Sequence, residues 1–115
     1  MLKITGIDIP TPSSYAVGIQ DINKAERNAN GTMIIERIRT GVRKIELSWR
    51  YLSKDDTSKV LNVVSGTVFQ VEYEDPQSGV RETRTFYAGD RSIGALDYID
   101  GEIRWKDIKF NVVER

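Results

Sequence analysis

The alternation from Val42 to Tyr51 constrains the fold more than any other stretch of the chain. Ile45, Leu47, Trp49 and Tyr51 recur at every second position, with Lys44, Glu46, Ser48 and Arg50 between them. Successive side chains of a strand point to opposite faces, so this segment has one apolar face to bury and one wet face. A helix would scatter the same residues around its circumference. A half-buried strand needs neighbours in a sheet and a second layer over its apolar side.

The same two-residue period returns along the chain, separated by turn chemistry. Leu2 to Ile9 reads as a hairpin folded at Thr5-Gly6. Pro10-Thr11-Pro12-Ser13-Ser14 then interrupts any ladder, because proline lacks the donor N–H. Ser14 to Ile22 places Tyr15, Val17 and Ile19 on one face. Asn23 to Thr32 has no large apolar residue and reads as a long polar loop, with a turn signal at Asn30-Gly31. Met33 to Thr40 is a strand, and Thr40-Gly41 reads as a second turn before Val42. Thr67 to Glu74 turns Phe69, Val71 and Tyr73 inward, and Asp75-Pro76-Gln77-Ser78-Gly79 is a turn with early proline and late glycine. Val80 to Tyr87 pairs back, and Ala88 to Gly94 is a loop. Ala95 to Ile99 and Glu102 to Trp105 flank Asp100-Gly101, a type I′ hairpin signal. Lys106 to Val113 closes the chain with Ile108, Phe110 and Val112 on one face.

Ser53 opens the one helix. Ser53-Lys54-Asp55-Asp56 is a capping box with Asp in place of Glu, and both aspartates sit where the helix dipole favours anions. Val60, Leu61 and Val64 form its apolar stripe, and Ser65-Gly66 ends it. The expected fold is therefore mainly β with one α-helix, a single domain over residues 1–115 built as an antiparallel β-sandwich or rolled barrel.

Several function classes are excluded or left without support. Cysteine and histidine are both absent, which removes disulfides, thiolate metal sites and the commonest general base. Ser13, Ser14, Ser48 and Ser92 have no histidine partner and no nucleophile elbow, so a serine–lysine pair is the one such arrangement left open. Asp97, Asp100 and Asp107 surround a hairpin without the dense ligand alternation of a calcium loop. Gly89-Asp90-Arg91 lacks the glycines of a phosphate cradle and reads as a strand end with a local ion pair. The expectation is a non-enzymatic protein with no cofactor, metal or small-molecule substrate. Met1-Leu2-Lys3-Ile4 is no signal peptide, and apolar runs reach only two to three residues, so no membrane partner and a soluble intracellular product are expected.

Charge is balanced, seventeen basic against seventeen acidic residues, but it is unevenly placed. Lys24 to Lys44 holds six basic and two acidic residues, whereas Glu72 to Asp107 holds nine acidic and five basic ones. Two solvated surfaces would account for this. So would self-complementarity, in which one copy's basic segment meets another's acidic segment and steers head-to-tail association. On the second reading the candidate subunit interface is Arg27, Asn28, Asn30, Arg37, Arg39 and Arg43. Zero net charge makes nucleic acid an unfavoured partner. Most aromatic residues fall at inward positions of alternating strands, including Trp49, Tyr51, Phe69, Tyr73 and Phe110, and read as core. A stacking platform for single-stranded nucleic acid, or a DNA-end binding module, is the alternative that the arginine-rich segment keeps open.

Pro10 to Ile22 (PTPSSYAVGIQDI), Arg27 to Ile34 (RNANGTMI), Ile45 to Leu52 (IELSWRYL), Phe69 to Pro76 (FQVEYEDP), Thr85 to Arg91 (TFYAGDR) and Trp105 to Arg115 together span most of the chain. Together these segments resemble a family of small proteins encoded in the tail-morphogenesis regions of phages and prophages of Gram-positive bacteria. The layout is also similar to phage tail-tube and distal-tail proteins, with a flanking helix and a long loop between early strands that bridges ring neighbours. The resemblance implies a virion structural or tail-assembly protein that forms rings by head-to-tail self-association. It implies other phage tail proteins as partners, and a place in the virion and, during assembly, in the host cytoplasm. It carries no catalytic motif.

Overall fold

The computed structural model describes residues 2–27, 31 and 33–115, with 22–27 and 33–39 described as backbone. Eight strands and one helix follow in the order β1 (Lys3–Ile4), β2 (Ile7–Asp8), β3 (Ser14–Arg27), β4 (Met33–Leu52), α1 (Lys54–Val63), β5 (Phe69–Glu74), β6 (Arg81–Ala88), β7 (Ser92–Ile99) and β8 (Glu102–Glu114). The fold is mainly β with one helix, as the periodicity requires. All pairings are antiparallel, and the sheet runs β2-β1-β5-β6-β8-β4-β3, with β7 also on β8.

Two long hairpins dominate this order. In the first, β6 and β7 lie end to end along the same side of β8, from Phe86↔Glu114 to Ile99↔Glu102. The Gly89 N–H donates to the Asn111 carbonyl at 2.9 Å, so the ladder continues through the expected loop. Asp100 and Gly101 form its tip with φ of 53° and 79°, the paired positive angles of a type I′ turn. In the second hairpin, β3 and β4 pair from Ser14↔Ser48 out to Arg27↔Met33.

That second hairpin corrects the expected Asn23–Thr32 loop. Residues 23–27 are strand, registered against Met33 to Arg37, and residues 28–30 and 32 lie outside the described ones. Thr40-Gly41 is not a turn either. Gln20 pairs with Val42 and Ile22 with Arg39, so Asp21 alone faces Thr40 and Gly41. This is a bulge, with Gly41 in the left-handed region at φ 66° and its N–H donating to Asp21 Oδ1 at 2.8 Å. The bulge absorbs the extra residue and the strand runs on.

The sheet curls so that one of its faces turns inward onto a common core. Its core joins Leu2 and Ile4 of the first hairpin, Ile45, Leu47 and Trp49 of β4, Val71 and Tyr73 of β5, Phe86 of β6, and Ile108, Phe110 and Val112 of β8. Trp49 stacks at a tilt on Phe110, with ring centroids 5.6 Å apart, and its Nε1–H donates to the Pro10 carbonyl at 3.0 Å. The Tyr15 hydroxyl of β3 donates to the Glu74 carbonyl of β5 at 2.8 Å, which brings the far edge of the sheet round to its other side. Among the described residues no ladder joins β3 to β2, so the roll stays open.

α1 covers one end of the roll. Ser53 Oγ accepts from the Asp56 N–H at 3.2 Å, as the capping box requires. Val60 and Val64 are buried in the core, whereas Leu61 is only half-buried. Tyr51 is a second correction: it is 70% exposed, and Leu52 is buried in its place. The cause lies opposite, on β8. Asp107 has a left-handed backbone (φ 51°), and it sits between the pairs Trp49↔Ile108 and Tyr51↔Lys106. The inward phase shifts by one residue there on both strands, from Trp49 and Ile108 to Leu52 and Trp105.

Candidate functional site

Residues 22–27 and 33–39 pair only with each other among the described residues, whereas β4 pairs β8 from Lys44 onward. The distal half of the β3–β4 hairpin is therefore a two-stranded arm beyond the body. The dimensions agree. The molecule measures 71 × 27 × 23 Å, with a radius of gyration of 18.1 Å against about 13 Å for a compact chain of this length. The twenty residues of β4 at about 3.3 Å each cover most of the long axis.

The arm is anchored at its base by a buried ion pair. Arg43 Nε donates to Asp75 Oδ1 at 2.7 Å and its Nη2 to Asp75 Oδ2 at 3.2 Å, and the two side chains are 5% and 0% exposed. Nη2 also donates to Gln77 Oε1 at 3.0 Å, and Nη1 to the Gly41 carbonyl. Asp75 Oδ2 accepts from the backbone N–H groups of Gln77 and Ser78 at 3.2 and 2.9 Å, so one carboxylate both shapes the β5–β6 turn and holds the arginine. The Arg43 guanidinium holds the Asp75 carboxyl well below the usual carboxylate range against the opposing effect of burial. A polar cleft of about 520 Å³ lies over this base, lined by Asp21, Thr40, Gly41, Arg43, Gln77 and Arg84 with Ile19. Arg84 is held on its far side by Glu114 at 2.8 Å. Burial pushes both the Tyr15 and the Tyr73 phenols up to about 12, and the Tyr73 hydroxyl is enclosed without a hydrogen-bond partner among the described residues.

The expected interface residues divide accordingly. Arg27, Arg37 and Arg39 fall on the arm, at the register positions Arg27↔Met33, Asn23↔Arg37 and Ile22↔Arg39. Asn28 and Asn30 lie outside the described residues. Arg43 does not belong with them: it is 4% exposed and bound to Asp75 of its own chain, so it anchors the arm and is not offered to a neighbour. Its phase carried the signal, since Arg43 stands two residues before Ile45, on the inward side of β4. Asp75 and Gln77 were legible only as turn residues.

The acidic region is also partly neutralised within the chain. Glu72 and Glu74 pair with Arg81 at 3.0 and 3.5 Å, Glu82 with Arg84 at 3.0 Å, and Asp97 with Arg104. Among the described residues no group of histidine, cysteine, aspartate and glutamate side chains converges as metal ligands would.

The whole chain, residues 1–115, matches a family described as a family of unknown function, DUF6711. The chain belongs to the DUF6711 family. No curated protein and no solved structure gives a match. Family membership therefore assigns no reaction and no partner to this DUF6711 protein, and the functional reading rests on its geometry and on the resemblance carried by its segments.

Proposed function

We propose that this DUF6711 protein is a structural subunit of a phage or prophage tail that associates head to tail, its β3–β4 arm holding the next copy or another tail protein. The arm carries the reading. Isolated two-stranded hairpins are at best marginally stable in water, and here such a hairpin extends the molecule to 71 Å. Its sequence combines Met33-Ile34-Ile35 and Ile38 with Lys24, Arg27, Arg37 and Arg39, apolar bulk with a basic surplus. A buried ion pair fixes its base, so the arm leaves the body in a set direction and is presented with little ordering cost on docking.

Sedimentation velocity across concentration tests this on the full chain and on a variant in which 23–38 are replaced by Asn-Gly. Ile22 and Arg39 are register partners, so a two-residue turn can close the shortened hairpin. The full chain should self-associate and the shortened chain should not, at unchanged circular dichroism. A full chain that stays monomeric throughout, or a shortened chain that associates equally well, overturns the arm reading. Immunogold labelling of tails released from a lysogen carrying the gene tests the location, and unlabelled tails overturn it.

A further inference from the structure

The two hairpins leave the body at opposite ends. β4 and β8 are antiparallel, with Lys44 opposite Val113 and Leu52 opposite Trp105. The arm precedes Lys44 and so leaves at the carboxyl end of β8. The β7–β8 tip at Asp100-Gly101 lies past Trp105, at the other end, beside α1.

That far end carries an apolar strip. Ala95 pairs with Trp105 and Tyr98 with Ile103, so these four share one face of the hairpin. Ile93, Ile103 and Trp105 face Leu61 of α1 across a cleft of about 280 Å³. Tyr98 continues the strip toward the tip and is 71% exposed. The outer edge of β7 is unpaired among the described residues, and two register shifts distort it, which disfavours the addition of a regular strand and leaves contact to side chains.

Charge selects the occupant. The β5–β6 acids are matched by Arg43, Arg81 and Arg84 of their own chain. Around the β7–β8 hairpin only Asp97 has an arginine partner, while Asp90, Asp100, Glu102 and Asp107 are exposed without an ion pair among the described residues. Residues 90–107 hold five acidic and three basic residues, and residues 22–39 hold four basic and two acidic ones. The acidic surplus of the chain is thus displayed beside the apolar strip, and the basic surplus on an apolar-rich arm at the opposite end.

We infer that the strip formed by Leu61, Ile93, Tyr98, Ile103 and Trp105 is the acceptor for the β3–β4 arm of a second copy, an inference that rests on the arm reading above. The chain cannot fill its own acceptor, because its arm points away from it. The contact is heterologous, so it propagates head to tail and closes into a ring or runs on as a filament.

The test is complementation between two variants of the chain, each defective in one half of the contact. One is the chain shortened over 23–38, with its acceptor intact. The core side chains among the described residues, from Leu2 and Ile45 to Val112, are all retained in it. The other carries Tyr98→Arg and Leu61→Arg, with its arm intact, and Tyr98→Arg alone serves if the double variant unfolds. Alone, the shortened chain should be monomeric, and the acceptor variant should self-associate about tenfold or more weakly than the unmodified chain, the scale of losing a central anchor. Mixed, they should form a one-to-one heterodimer by sedimentation velocity, since one supplies an arm and the other an acceptor. If the acceptor variant associates like the unmodified chain while the shortened chain does not, the arm reading stands and the acceptor assignment falls. If both associate like the unmodified chain, both fall.

Discussion

Arg43 Nε lies 2.7 Å from Asp75 Oδ1, and the pair joins the base of the arm on β4 to the turn after β5. Both groups are out of solvent and both are further hydrogen-bonded, Arg43 to Gln77 and Gly41, Asp75 to the Gln77 and Ser78 amides. Removing one partner strands the other charge in a buried site. Asp75→Asn or Arg43→Met should each destabilise the fold by about 3–5 kcal/mol, and the double variant by less than the sum. Urea unfolding of the three variants checks this, and additive losses would show that the two side chains do not act as a unit.

The same pair sets an acid limit. Asp75 titrates below its unfolded value of about 3.9, so its contribution is fully present above that value. It is lost as pH falls from there through the depressed folded value, because the unfolded chain takes up the proton first. The urea midpoint should start to fall as pH drops to about 4 and keep falling below about pH 3. Asp75→Asn should show a smaller acid-induced drop than the unmodified chain. Equal drops in both would place the acid sensitivity elsewhere.

Gly41 is the residue that lets β4 pass from body to arm. At φ 66° a side chain is strained, and a Cβ there would lie 2.8 Å from Arg43 Nη1. Gly41→Ala should therefore cost about 1–3 kcal/mol, more than a strand glycine replaced in ordinary conformation. Combining it with Arg43→Met should recover the part due to the clash and leave the part due to φ, which a double-mutant cycle separates.

What the sequence made legible follows from local rules. The Ser53 cap, the Asp100-Gly101 turn and the inward phases of β5 and β8 each depend on residues within a few positions of one another. The misreadings come from places where two strands decide together. Asn23 to Arg27 is polar and looked like loop, yet a hairpin needs only backbone pairing, and Met33 to Arg37 supply it. Tyr51 continued the alternation of Trp49, but the phase shift is set by Asp107 on the opposite strand. Arg43 looked like one more surface arginine until Asp75, distant in sequence, met it at 2.7 Å. The acidic surplus after Glu72 was visible as a count, whereas which acids are already paired depends on strand register.

Replacing the cap separates helix from arm. Ser53→Ala removes the acceptor for the Asp56 N–H and should cost about 1 kcal/mol, while Ser53→Asp should keep most of it. Because α1 supplies Leu61 to the proposed acceptor, Ser53→Ala should weaken self-association slightly, and the change should vanish at temperatures well below the unfolding transition. A full loss of association from this substitution would mean that α1 has a larger part in the contact than Leu61 alone.

The arm arginines distinguish a protein partner from a nucleic acid. Arg27, Arg37 and Arg39 lie beyond the last β4–β8 pair, so changing all three to Glu should leave the urea midpoint nearly unchanged. If the arm docks on the acidic β7–β8 end of a second copy, the triple variant should lose self-association, and the unmodified chain should associate more weakly as salt rises. If instead the arginines neutralise phosphates, single-stranded DNA should shift in a gel, with the logarithm of affinity falling linearly in logarithmic salt by a slope of about 0.7 per phosphate contact. The β7–β8 end then provides the cross-check. Reversing Asp100 and Glu102 to Lys in the triple variant should restore self-association by restoring opposite signs, whereas a phosphate-binding arm gains nothing from that exchange. Restored assembly without DNA binding identifies the arm's partner as protein, and DNA binding abolished by the triple variant and unaffected by the exchange identifies it as nucleic acid.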